Sequence, residues 1–432
     1  MKQKILLIAT LCLLAGCSTH RNPDKALAQT ILSDSSLTRV DSMAHSLLQK
    51  GFNAGSGYSQ VWVRDMNTFV ETALQVVDPK EIRGAILVFF ALQQPDNEIV
   101  DGYVLNKDFN WNDPNQYRSK ADTAHVGFKN TVETDQETSL IQTVAKYVKV
   151  TGDTSILSEN IAGKTVLERM GLAVAYLMKE RYSKKYGLLW GAMTADWGDV
   201  QPHTDDVVDI DSTTTPAIDI YDNAMFIIAL NDLAGMTKDP SQQQQWKNLS
   251  SSVAENARKY LWDAQNQKFI PHIYLDKSPI PADFDESKVF YHGGTAVAIK
   301  AALLSKAEIE ASNKHMLEDV RLSGAPSIGL TLYPVYPDSF FHGGMAKPYI
   351  YQNGGDWTWF GARMIQQLVA NGFVKEAYAE IRPMIDRVIK NKGFYEWYGV
   401  DGKPEGSANF KGSAGTLAKA IVMLQQWAEK HA

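Results

Sequence analysis

The chain has 432 residues and a formal net charge of −6, from 49 acidic against 43 basic residues, which gives no electrostatic footing for a nucleic-acid partner. Both cysteines, Cys12 and Cys17, fall in the first 17 residues, so thiolate zinc sites, cysteine nucleophiles and disulfide scaffolds are excluded for the folded body. A hydrophobic content of 44% is ample for a large core.

Residues 1–17 read MKQKILLIATLCLLAGC. Lys2 and Lys4 form a positive start, and Ile5 to Leu14 form an apolar run too short to span a bilayer. Leu-Ala-Gly-Cys then ends at Cys17. The stretch resembles a bacterial lipoprotein signal with its lipobox. That resemblance implies a signal peptide over 1–16, cleavage before Cys17, acylation of its thiol and a lipidated tether over 17–25. The alternatives are an ordinary secretory signal or a small buried strand. Ser18 after the cysteine favours the outer membrane, on either face, so the expected location is the cell envelope, with a lipid anchor as the membrane contact.

Beyond the tether, apolar residues recur at three- and four-residue spacing. The pattern predicts helices over 26–50, 67–77, 80–93, 136–151, 158–181, 217–236, 241–262, 295–311, 357–371, 373–391 and 413–430. Asp78-Pro79 and Asp239-Pro240 read as helix starts. Strand signals are short: 186–190, 268–274 and 328–333. Long connections (94–135, 182–216, 263–294, 312–356 and 392–412) hold most of the Trp, Tyr, Asn, Asp and Gly, and long loops of this kind are usually functional. Residues 26–432 therefore read as one all-α domain, a ring of helical hairpins with one elaborated end. No strict repeat supports a solenoid.

Six segments offer chemistry. Tyr58 to Met66 supplies Trp62 as a stacking face, with Arg64 and Asp65 to hold sugar hydroxyls; an architectural ion pair is the plainer reading. Asn130 to Thr138 supplies Asp135, which also suits a helix cap. Leu189 to Val200 contains Asp196-Trp197-Gly198-Asp199. An acid beside an indole gains a raised pKa and suits a general acid. Asp205, Asp206, Asp209 and Asp211 follow, so a cation loop is the competing reading. Asp219 to Met225 adds Asp222. Gln352 to Trp359 adds Asn353, Asp356, Trp357 and Trp359, or a tight turn with core tryptophans. Gly393 to Gly399 embeds Glu396 beside Trp397. The nine histidines make no HxxxH or HExxH pair, and there is no GxSxG elbow and no phosphate loop. No cofactor and no metal are expected.

Taken in order, these segments resemble the six-hairpin glycosidase superfamily. Tyr-x-x-Val-Trp-x-Arg-Asp is similar to a glucoamylase-type pocket motif. Ala-Asp-Trp-Gly-Asp is similar to the Ala-Asp-Trp-Asn-Asp of cellobiose phosphorylase-type proteins, with Gly198 in place of Asn. Asn-Gly-Gly-x-Trp-x-Trp and the aromatic-embedded Glu resemble glucosidase-type C-terminal segments. The resemblance spans roughly residues 55–425 and implies an (α/α)6 toroid and a glycoside hydrolase. It implies Asp199 as general acid, with Asp196 as second choice, and Glu396 as general base. Trp62, Arg64, Asp65, Asp135, Trp197, Asp222, Asn353, Asp356, Trp357, Trp359 and Trp397 are then the expected contacts to an oligosaccharide or polysaccharide. The implied reaction is inversion at the end of an α-linked gluco-oligosaccharide, with carboxyls roughly 6.5–9.5 Å apart. The competing classes are a phosphorylase, a polysaccharide lyase using His125, His292 or His342, and a non-catalytic glycan-binding lipoprotein.

Overall fold

The computed structural model describes residues 23–109, 116–202 and 208–432; the expected signal peptide, Cys17, Asp205 and Asp206 lie outside them. Thirteen helices run through the described residues. They are α1 (Pro23–Ser33), α2 (Ser35–Leu48), α3 (Val63–Ala73), α4 (Pro79–Ala91), α5 (Gln136–Thr151), α6 (Val166–Glu180), α7 (Ile220–Met236), α8 (Pro240–Tyr260), α9 (His292–Lys300), α10 (Lys306–Ser323), α11 (Thr358–Ala370), α12 (Val374–Asn391) and α13 (Lys411–His431).

Helices α3, α5, α7, α9, α11 and α13 touch in a closed cycle, each packing on the next and α13 returning to α3. Helices α2, α4, α6, α8, α10 and α12 pack outside them, and α1 lies on α13. This is the (α/α)6 toroid. Composition decides which helices go inside. Every residue of α7 from Ile220 to Leu230 is buried, whereas α8, rich in Gln, Ser and Lys, buries only Ser250, Val253 and Ala257. No described helix is long and apolar enough to cross a membrane.

Asp78 and Asp239 cap α4 and α8, accepting from the N–H groups of Lys80 (2.9 Å) and Ser241 (2.8 Å), with proline in the first helical position. Several boundaries differ from the sequence expectation. The helix expected over 26–50 breaks at Asp34, whose carboxylate caps α2 through Ser36 N–H at 3.0 Å and accepts the Tyr378 hydroxyl at 2.8 Å. The first residues of α1 belong to the stretch read as tether. Helix α3 starts at Val63, so Arg64 and Asp65 lie in its first turn instead of ahead of it. The segment 295–311 divides into α9 and the start of α10, and most of α10 falls in a stretch read as loop. Its sequence is largely polar; it is anchored by buried Ile309 and Met316 and by an Asn313–Glu380 hydrogen bond of 2.7 Å to α12.

Strands are two to five residues long and brace the loops. Val61–Trp62 pairs with Gly102–Leu105, which pairs with His125–Phe128. Trp62 sits over Gly102, where a Cβ would come within 2.3 Å of the indole.

Two glycines test the ring. In α13, a Cβ on Gly415 would lie 2.4 Å from Phe69 Cβ and 2.5 Å from Phe69 Cα in α3. Gly84, exposed in α4, has nothing within 4 Å. Gly415→Ala is expected to cost about 1–3 kcal/mol, and Gly84→Ala to add about 0.5–1 kcal/mol, both measured by denaturant unfolding. The reverse order of these two effects would refute the close α3–α13 crossing.

Candidate active site

The loops and first turns of the inner helices surround a cavity of about 270 Å³. Trp62, Arg64 and Asp65 reach it from the start of α3, and Lys129, Asn130 and Glu133 from the approach to α5. Trp197 and Asp199 come from the loop between α6 and α7, Tyr351, Gln352, Trp357 and Trp359 from the approach to α11, and Glu396 and Phe410 from the approach to α13.

Asp199 and Glu396 both face this cavity, and each is held by hydrogen bonds. Gln352 donates Nε2–H to Asp199 Oδ1 at 2.8 Å, and its Oε1 accepts the Asp199 backbone N–H at 3.2 Å. Gly198 makes this clamp possible: a Cβ there would lie 2.8 Å from Gln352 Oε1, so the Asn of the related motif has no room. Glu396 is 4% exposed. Its Oε1 accepts the Tyr58 hydroxyl at 2.8 Å and its Oε2 the Ser407 N–H at 2.7 Å. Burial pushes its pKa up, against those two donors, and the Asp199 charge adds to the rise.

Two more carboxyls line the cavity. Asp65 is buried with Oδ1 lacking a hydrogen-bond partner; burial, opposed by Arg64 and reinforced by Glu396 and Asp101, pushes its pKa to about 8. Burial, opposed by Arg64 and reinforced by Asp135 and Asp199, pushes Asp101 to about 7. The two cations of the cavity are already engaged. Arg64 grips Asp135 through Nε at 2.8 Å and Nη2 at 3.1 Å and also contacts Glu133. Lys129 Nζ donates to Ile99 O (2.7 Å), Glu137 Oε1 (3.0 Å) and Gln136 Oε1 (3.1 Å).

The aromatic wall is one packed unit. Trp197 stacks on Phe360 at 4.5 Å and meets Trp357 edge-on at 4.7 Å, and Trp359 stacks on Phe360 at 5.5 Å. Trp357 is fixed by Nε1–H donation to Tyr351 O at 3.0 Å.

Other expected residues are placed elsewhere. Asp196, at φ 57°, directs its carboxylate to the N–H groups of Gly293 (2.8 Å) and Gly294 (2.9 Å), the first turn of α9. It is outside the main cavity lining and anchors a helix end. Asp135 lies beneath the cavity, between Arg64 and the Tyr221 hydroxyl (2.7 Å), and its side chain makes no cap. Asp222 sits in the buried start of α7, where Asp219 accepts its N–H at 2.8 Å. Asn353 ties the Tyr336 backbone at 2.9 and 3.1 Å. Asp356 is spent on Arg387 (2.7 Å) and Ser327. Trp397 packs beside Gly355 and Gly406, outside the cavity lining. Tyr58, Glu133 and Gln352 were within the motifs without being singled out. Asp101 had no motif; only its place beside the strand paired with Trp62 brings it in. None of His125, His292 and His342 lines the cavity. No group of three His, Cys, Asp or Glu side chains is gathered as metal ligands among the described residues.

Asp101 generates a pH test. With a folded pKa of about 7 against roughly 3.9 when unfolded, it binds more protons folded than unfolded in between. Stability is therefore lost as pH rises from the lower value to the higher one. Asp101→Asn is expected to stabilise the protein by about 2 kcal/mol more at pH 8 than at pH 5, while lowering turnover. Melting curves at the two pH values decide this; a gain independent of pH would contradict a buried, cavity-facing carboxyl.

Residues 18–349 match the model for the Glycosyl hydrolase 94 superfamily, catalytic domain. No curated protein matches the chain significantly. Among solved structures, the GH63 mannosylglycerate hydrolase from Thermus thermophilus in complex with glucose is similar with a TM-score of 0.61 at 13% identity, over 90% of this chain and 99% of that one. An uncharacterized conserved protein of the same organism matches with a TM-score of 0.61 at 14% identity, over 88% and 99%. The rhamnosidase from Klebsiella oxytoca with rhamnose bound matches with a TM-score of 0.60 at 13% identity, over 89% and 63%. At these identities the likeness is one of fold, that of the six-hairpin glycosidases. With its family match spanning more than half its length, the chain belongs to the glycosyl hydrolase 94 superfamily and is a glycoside hydrolase.

Proposed function

We propose that the enzyme hydrolyses an oligosaccharide by inversion, with Asp199 as general acid and Glu396 as general base. The supporting observation is that these two carboxylates, about two hundred residues apart in sequence, face one cavity and are held in different ways. Glu396 receives a hydrogen bond on each oxygen, which orients it as an acceptor, and burial raises its basicity, as suits removal of a proton from water. Asp199 has one oxygen tied to Gln352 and is otherwise turned to the cavity. In the reaction, Asp199 gives its proton to the glycosidic oxygen as that bond breaks. Water attacks the anomeric carbon from the other face and passes its proton to Glu396.

Trp62 supplies a half-buried ring face for the sugar, buried Trp357 and Trp359 back the cavity wall, and Asp65 and Asp101 supply acceptors or, when protonated, donors for its hydroxyls. A cavity of about 270 Å³ suits the end of a chain better than its middle, in keeping with exo action. The α-gluco configuration rests on the glucoamylase-like Trp62-x-Arg64-Asp65 segment.

Phosphorolysis is disfavoured by charge. Among the described residues Arg64 and Lys129 are already paired, so a phosphate dianion finds no free cation and meets the ionised general base Glu396. The same charge disfavours uronate chemistry by a lyase. On a panel of α-linked oligosaccharides, Asp199→Asn and Glu396→Gln are each expected to lower kcat by about 10²–10⁴. NMR is expected to show the inverted anomer first, and inorganic phosphate to leave the products unchanged. Near wild-type rates in both variants would reject the assignment; the retained anomer would reject inversion.

We further propose that residues 1–16 are removed and that Cys17 is acylated, holding the catalytic domain over 26–432 at the outer membrane. Labelled palmitate is expected in the wild-type protein, and Cys17→Ala is expected to lose the label and leave the membrane fraction. Label retained in Cys17→Ala would sink the anchor.

A further inference from the structure

Deeper along the six inner helices lies a second, smaller cavity of about 30 Å³. Each inner helix contributes to its lining: Glu71 from α3, Lys146 from α5, Met225 from α7, Lys300 from α9, Arg363 from α11 and Lys419 from α13. Four cations thus face one carboxylate, with Asp232 of α7 the further acid within electrostatic reach.

The hydrogen bonding leaves part of that charge unanswered. Lys419 pairs with Glu71. Lys146 Nζ donates to the Asn67 carbonyl and, at 2.8 Å, to Asn67 Oδ1, which are neutral acceptors. Among the described residues Lys300 has one long hydrogen bond, 3.4 Å, to Gln142 Oε1, with Asp232 and Glu71 within electrostatic reach. Arg363 lies 4.8 Å over the Phe360 ring and 5.4 Å over Trp359 and donates to the Tyr221 hydroxyl, but its Nη1 is buried with no hydrogen-bond partner among the described residues. Burial, the Lys419 charge and Arg363 push Lys300 down to about 8. Burial together with the Lys300 charge, opposed by Glu71, holds Lys146 well below its ordinary value. Like charges confined together stay protonated at neutral pH only with a counter-charge beside them.

We propose that this cavity binds a small inorganic anion, of chloride size, between Lys146, Lys300 and Arg363. The cavity has room for one or two water-sized particles, which rules out a sugar or a phosphate ester. Lys300 is exposed at the mouth and gives the ion a way in. The site is separate from the carboxylate cavity, but Arg363 joins the two through Trp359, which lines that cavity. An anion on Nη1 fixes the guanidinium under the aromatic wall.

The test uses the full chain. Crystals grown or soaked in sodium bromide are expected to show an anomalous peak between Lys146, Lys300 and Arg363. Sodium chloride is expected to raise Tm saturably, by about 2 °C or more over sodium gluconate at equal ionic strength. That difference is expected to vanish in Lys300→Met, whose exposed position makes the variant safe for folding. No bromide peak in the wild-type cavity, as proton loss from the lysines would give, overturns the proposal. So does a chloride effect of the same size in Lys300→Met.

Discussion

Burying Arg64 in the first turn of α3 obliges the chain to bring acids to it from another helix, and the carboxylate cavity is built on that requirement. Asp135 receives the guanidinium in a two-point fork, Glu133 closes on it from the same loop, and Tyr221 from α7 donates to Asp135 at 2.7 Å. Three neighbouring inner helices are thereby referenced to one charge. A buried ion pair of this kind adds little net stability once desolvation is counted, but removing one partner leaves a stranded charge. Its effect is angular. It sets where the first turns of α3, α5 and α7 stand relative to one another, and therefore where Asp65 points.

The same fork removes Arg64 from direct chemistry. With Arg64 and Lys129 both committed to protein acceptors, the charge seen by a ligand is set by Asp65, Asp101, Asp199 and Glu396. These carboxyls gather where inner helices begin, at ends that carry a partial positive charge and spare N–H groups. Asp196 on Gly293 and Gly294, and Asp219 at the start of α7, show the same preference in fully satisfied form. Burial raises the pKa of all four: Asp65 to about 8, Asp101 to about 7, Asp219 to about 6 and Asp196 well above its ordinary range.

This clustering also explains what could be read from the sequence. Most of each inner helix is buried, and several begin among charged and aromatic residues, so these starts leave a local mark. The segments around Arg64, Asp135, Asp222, Trp357 and Lys411 were legible for that reason, as was a ring of helical hairpins; its (α/α)6 form came with the family resemblance. Helix α10 was not, because it packs through a few apolar residues and a buried Asn313–Glu380 contact supplied by a partner helix. Asp101 was not, because strand pairing brings it beside Trp62 across about forty residues of sequence. Asn353 and Asp356 have the residue types of a sugar site but answer to Tyr336, Ser327 and Arg387, none of which their own motif contains.

Gln352 shows how such non-local demands constrain the candidate acid. Its amide holds Asp199 by both side chain and backbone, and it fits only because position 198 has no side chain. Gly198, a departure from the related motif, and Gln352, far along the chain from it, are therefore two halves of one arrangement: the space given up by one is filled by the other. A side chain at 198 would meet the Gln352 amide and the Ala195 carbonyl, each at 2.8 Å, and of the two only the amide is free to move. The orientation of the candidate acid is thus decided by packing in the loop before α11, where no titratable group is involved, and the chemistry assigned to one segment depends on a residue that its own sequence does not contain.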